Sequence, residues 1–202
     1  MSKNTTRRWS TAALTAAVCV GSFVLTSPSA PAAQLPDRTA VIAAPAPADA
    51  AAPGLGAAPR ISRAQVLARA KTWLTANNGR PVPYSQTKYW KDGYRQDCSG
   101  YVSMALGLSK PGPNTVSLKN DGYTRRIAMK DLAPGDLVIK ANSNSADNRH
   151  VVIFDGWANG AHTVYKSYEQ AGGGAGTRWK QHSYGVNGRD GYHAYRPVNI
   201  TG

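Results

Sequence analysis

Asp97-Cys98-Ser99-Gly100-Tyr101-Val102-Ser103-Met104-Ala105-Leu106-Gly107 is the segment of this 202-residue chain on which the fold turns. Its apolar residues recur at helical spacing and Gly107 stops them, which predicts a short helix with Cys98 at its N-terminus. Upstream, Arg80-Pro81-Val82-Pro83 forbids helix, and the aromatic, polar stretch through Gly93 is expected to be a packed loop. Further upstream, Ser62 can cap a helix carrying Val66, Leu67, Ala70, Trp73 and Leu74 on one face and stopped by Asn77-Asn78-Gly79. Downstream the pattern changes to strands. Residues 131–136 form a tight turn into Leu137-Val138-Ile139, and His150-Val151-Val152-Ile153-Phe154 is apolar on both faces, hence a central strand. Asn159-Gly160 predicts a two-residue hairpin turn with residues 162–169 as the return strand, and strands near 177–184 and 191–196 complete the sheet. Helices first and an antiparallel sheet afterwards make the expected fold α+β.

The ends of the chain read differently. Lys3, Arg7 and Arg8 precede an uncharged apolar run, then Ala30-Pro31-Ala32 as a small-x-small cleavage site, so residues 1–32 are expected to be a secretory signal peptide. That run is too short for a membrane-spanning helix of about 20 residues, and no second one follows, so no integral membrane segment is expected after cleavage. Ala16-Ala17-Val18 before Cys19 is a poor match to a lipoprotein box. Residues 33–60 are dominated by Ala and Pro with few large apolar side chains, and are expected to be a flexible tether. Residues 61–202 are expected to form one folded domain.

Removal of the signal leaves a single cysteine, Cys98, so no internal disulfide or thiolate-rich metal site is possible, and neither a metal nor a cofactor is expected. An exported protein with one unpaired thiol needs a reason for it. A helix N-terminus stabilises a thiolate and offers unpaired N–H groups for an oxyanion, which makes Cys98 a candidate nucleophile. Of the four histidines, His150 begins the most apolar strand and would be held rigidly as the base; His162, His182 and His193 lie in polar or turn segments. With a two-residue turn at Asn159-Gly160, His150 faces Glu169, the sole glutamate in the chain, at about 4.5–5.5 Å between Cβ atoms. Glu169 is therefore the expected orienting group for the imidazole. A one-residue change of register would instead bring Gln170 or Tyr168 to that place.

These residues resemble the papain-like cell-wall hydrolases of the NlpC/p60 type. Asp97-Cys98-Ser99-Gly100-Tyr101-Val102 is similar to the family's nucleophile motif, Leu132-Ala133-Pro134-Gly135-Asp136-Leu137-Val138 to the strand entry that follows, and His150-Val151-Val152-Ile153-Phe154 to its histidine strand. The resemblance implies Cys98 as nucleophile, His150 as base, and Tyr84 in Pro83-Tyr84-Ser85-Gln86 as a site-lining residue. It also implies a papain-like fold and cleavage of amide bonds in peptidoglycan stem peptides through an acyl-enzyme. Tyr84, Gln86, Asp97 and Ser99 are the expected oxyanion and substrate contacts. Many members complete the triad with a second histidine about twelve residues after the first. His162 has that spacing, but the turn places it near the hairpin tip, so Glu169 is preferred, an arrangement similar to the related CHAP amidases.

The formal charge of +13, or +10 without Lys3, Arg7 and Arg8, fits retention on an anionic wall. Basic residues are dispersed and no nucleic-acid partner is expected; the glycines of residues 172–176 lack the Lys-Ser/Thr of a phosphate loop. The expected partners are peptidoglycan and anionic wall polymers, the expected location extracellular or wall-associated, and the expected state monomeric. A non-catalytic wall-binding protein, or an acyltransferase on the same scaffold, would use the same fold.

Overall fold

A computed structural model describes residues 58–202; the segment expected to be a signal peptide and nearly all of the expected tether lie outside the described residues. Strand β1 (Ile61–Ser62) leads into helix α1 (Arg63–Thr72), followed by α2 (Cys98–Leu106), α3 (Thr115–Asn120) and β2 (Thr124–Arg126). Then come β3 (Leu137–Lys140), β4 (His150–Trp157), β5 (Tyr165–Ala171), β6 (Gly176–His182), β7 (His193–Pro197) and β8 (Ile200–Thr201). Six strands make one antiparallel sheet in the order β2-β7-β3-β4-β5-β6, and β1 pairs with β8 in parallel. The fold is α+β, with helices on an antiparallel sheet.

Helix α2 is buried along its whole length and carries no charged residue. It packs on the sheet face formed by Leu137, Ile139, Val151, Ile153, Tyr168 and Tyr195. The opposite face holds a smaller cluster of Leu132, Val138, Val152, Phe154, Tyr165 and Ala194. Strand β4 contributes alternate residues to both clusters, which is the physical reason for its unbroken apolar run. The Tyr101 hydroxyl donates to the Ala70 carbonyl at 2.8 Å, tying α2 to α1. Buried Asp136 joins α1 to the sheet: its carboxylate accepts from Arg63 at 3.0 Å and Arg196 at 2.7 Å, and from the Ala133 N–H at 2.9 Å.

Two local expectations need correction. Helix α1 stops at Thr72 although Trp73 and Leu74 continue the apolar stripe. The Trp73 carbonyl accepts from Val82 N–H at 2.9 Å, a partner that a longer helix would have replaced with its own. The β4–β5 turn is seven residues long. Asn159 organises it with its side chain, which accepts from Thr163 N–H at 3.0 Å and donates to Thr163 Oγ1 at 2.8 Å, so no two-residue turn forms. Helix α3, capped by Asn114, and strand β2 were not anticipated.

The wider turn pairs Trp157 with Tyr165 and Gly156 with Lys166, a register that by itself would put Glu169 on the face away from His150. A bulge at Asp155 then shifts the pairing by one, so that Phe154 faces Ser167 and Ile153 faces Tyr168. His150 and Glu169 thereby share a face as diagonal neighbours, two positions from the direct opposition expected from a tight turn.

Candidate active site

The N-terminus of α2 is built by its own neighbours. Asp97 caps the helix: its carboxylate accepts from Gly100 N–H at 2.7 Å and from Ser99 Oγ at 3.1 Å, and pairs with Arg95 Nε at 2.5 Å. The Arg95 guanidinium also donates to Ser99 Oγ at 2.9 Å and to the carbonyls of Gly112 and Pro113, clamping the helix start to the next loop. Gly100 is required there, because a Cβ would lie 2.0 Å from the Arg95 carbonyl oxygen. Cys98, the first helical residue, is 6% exposed, with Sγ 3.7 Å from Thr115 Oγ1. The N–H groups of Cys98 and Ser99 precede the first intrahelical bond, which runs from Tyr101 N–H to the Asp97 carbonyl.

His150 opens β4 and meets Glu169 through Nε2 at 2.7 Å. Glu169 is 1% exposed, and its other oxygen accepts from Arg178 Nε at 2.7 Å and lies 3.0 Å from His182 Nε2. Burial opposes ionisation of the carboxylate, but hydrogen bonds from His150 and His182, the charge of His182, and Arg178 outweigh it and hold Glu169 far below the usual carboxylate range. Burial likewise works against a charged His150. Hydrogen bonding to Cys98 and Glu169, with their negative charges, overcomes it and raises the imidazole to about 9. With Nε2 held by Glu169, Nδ1 is the ring nitrogen available to the sulfur. Tyr184 lies edge-on to His150, ring centres 6.4 Å apart, and stacks between His182 at 4.3 Å and Tyr192 at 4.4 Å. This stack backs the imidazole.

Two adjoining hollows make the cleft. One, of about 220 Å³, is lined by Cys98, Thr115 and Asn114; the other, of about 530 Å³, by His150, Glu169, Arg178 and Tyr192. Tyr84, Gln86, Ala146 and Arg149 line both. Gln86 Nε2 donates to the Tyr84 hydroxyl at 3.3 Å. Asp97 and Ser99 border the first hollow, but their side-chain oxygens are taken up by Arg95 and the helix cap, which makes them positioning groups.

The alternative orienting groups are elsewhere. Gln170 is buried and donates to the carbonyls of Val82, Pro83 and Gln96 while accepting from Thr177, which anchors the loop carrying Tyr84. Tyr168 belongs to the helix-facing cluster. His162 sits in the β4–β5 turn at φ 55°, stacked on Trp157 at 4.4 Å. Arg95, Arg178 and His182 escaped the sequence reading. Arg95 could have been found from its place two residues before the capping aspartate; His182 and Arg178 become neighbours of Glu169 through β5–β6 pairing, which no local motif announces. Among the described residues no cluster of His, Cys, Asp and Glu is placed to hold a metal ion, and no helix is long and apolar enough to cross a membrane.

No protein-family model matches the chain, and no curated protein matches it. Solved structures do. They include a lipoprotein-like protein of the NLP/P60 family from Staphylococcus aureus subsp. aureus Mu50, 18% identical with TM-score 0.41, the alignment covering 69% of this chain and 44% of that one. They also include the wild-type endolysin LysIME-EF1, 16% identical with TM-score 0.45, covering 68% of this chain and 64% of that one. The chain spans less than two thirds of the length of either.

Proposed function

We propose that the chain is an exported cysteine hydrolase that cleaves amide bonds in the stem peptides of peptidoglycan. The observation that carries the chemistry is the His150 imidazole locked at 2.7 Å by the buried Glu169 carboxylate, in a cleft whose adjoining hollow is lined by a sulfur at a helix N-terminus. The substrate class comes from the motif resemblance at Asp97–Val102, Leu132–Val138 and His150–Phe154. The signal peptide, the Ala/Pro tether and the net positive charge support action at an anionic wall.

His150 takes the thiol proton and the Cys98 sulfur attacks the amide carbonyl. A C–S bond forms and the carbonyl π pair moves to oxygen, where the N–H groups of Cys98 and Ser99 receive it, with Tyr84 and Gln86 alongside. Collapse breaks the C–N bond as His150 gives its proton to the leaving amine, leaving a thioester on Cys98. Neutral His150 then takes a proton from water, which adds to the thioester; the thiolate leaves and the acid product is released. Glu169 keeps the ring oriented and stabilises its charged form throughout.

The test is incubation of wild type and Cys98→Ala with isolated peptidoglycan, with released muropeptides identified by mass. Products that vanish in the variant are expected. Mass gains from joined peptides would indicate transfer to an amine instead, and identical profiles from the two proteins would overturn the proposal.

A further inference from the structure

The cleft wall carries three arginines, and their partners differ. Arg95 is neutralised by Asp97, and Arg178 donates its Nε to Glu169. Arg149 is half-buried, lines both hollows, and has no hydrogen-bond or ion-pair partner among the described residues. It immediately precedes His150, the first residue of β4, so its backbone is fixed beside the residue that carries the imidazole.

A partly buried arginine fork that lines a reaction centre, with its donors unused by the protein, is matched to a planar anion. The groups around it narrow the choice. The carboxylates of Asp97 and Glu169 are already consumed by their own partners, Arg95, Arg178 and His150, so neither is left to pair with Arg149. A cationic ligand group would be repelled, and a neutral amide would leave the fork's charge uncompensated. Because Arg149 borders the hollow of Cys98 and that of His150 alike, an anion gripped there belongs to the residue flanking the bond under attack.

We propose that Arg149 is the recognition residue for a free carboxylate on the substrate peptide, next to the scissile amide. The assignment rests on the hydrolase reading for the identity of the peptide, while the fork, its placement and its lack of a protein partner stand without it. Arg149 selects acid over carboxamide at that position, so amidation of the stem peptide would protect the wall from this enzyme.

The experiment uses paired synthetic stem peptides that differ only in a free or amidated carboxylate beside the scissile bond. Wild type is expected to favour the acid by roughly 10- to 100-fold in kcat/KM, the value of a charge-assisted fork. Arg149→Ala should collapse that ratio towards one, and Arg149→Lys should keep part of it. A second arm measures binding of both peptides to Cys98→Ala with and without Arg149→Ala, and needs no turnover. Loss of acid preference in that arm upholds the assignment even if no peptide is cleaved, which would sink the hydrolase reading alone. An unchanged ratio in Arg149→Ala, or an Arg149 dependence seen only with a glycerol-phosphate polymer, overturns it. Circular dichroism of the variants separates loss of recognition from loss of fold.

Discussion

The two halves of the candidate site are built by opposite means. Around Cys98 everything is local: Arg95, Asp97, Ser99 and Gly100 lie within five residues of one another and assemble the helix start from caps and close packing. Around His150 almost nothing is local. Its partner is 19 residues away, that partner's partners are 9 and 13 residues further on, and their meeting depends on a bulge in β4. A nucleophile can thus be specified by a short motif, whereas its imidazole needs the register of three strands to be right.

This contrast can be broken most sharply on the long-range side. His150→Ala is expected to reduce kcat/KM by about 10³-fold or more, since both activation of the sulfur and protonation of the leaving amine disappear. Glu169→Gln keeps the shape but removes the negative charge. A loss of roughly 10- to 100-fold in kcat is expected, read from steady-state kinetics, with KM nearly constant.

The same variant should alter the pH dependence in a defined direction. His150 is raised from 6.5 to about 9, so its charged form contributes stability that is fully present below 6.5 and fades as pH rises through about 9. Glu169 is depressed, so its contribution is present above the ordinary carboxylate value of 4.5 and is lost as acid protonates it. Wild-type activity and Tm should both fall on the alkaline side near pH 9. In Glu169→Gln the alkaline limb should move towards neutral pH; an unmoved limb would detach the carboxylate from the imidazole.

On the local side, Gly100→Ala pushes a Cβ into the Arg95 carbonyl, and the helix start must shift. A stability loss of about 1–3 kcal/mol in urea titrations is expected, with a several-fold drop in activity from the displaced sulfur. The smallest effect on turnover is expected from a place away from the cleft. Asp136→Asn should cost about 1–3 kcal/mol by weakening the ties to Arg63 and Arg196, yet leave kcat of the folded fraction unchanged.

What the sequence could convey follows the same division. Helix α2 with Cys98 at its start, the strand entry at Leu137 and the central β4 are local patterns of period and punctuation, and all are present. The length of the β4–β5 turn was not legible, because Asn159-Gly160 carries the chemistry of a tight turn while the Asn159 side chain, bonded to Thr163, makes a wide one. The bulge at Asp155 leaves no signature in composition. Wider turn and bulge together move the register by two, which preserves the face, so Glu169 stands beside the imidazole although not directly across from it. His182, flanked by polar residues, reads as surface and is in fact 6% exposed, covered by Tyr184 and bonded to Glu169.

The central claim is the pairing of Cys98 with His150, and the rate of Cys98 alkylation tests it most directly. In a chain carrying Cys19→Ser, where Cys98 is the sole thiol, iodoacetamide should react rapidly at neutral pH, and the rate should fall at least tenfold in His150→Ala. Equal, slow alkylation in the two proteins across pH 6–8 would contradict the account.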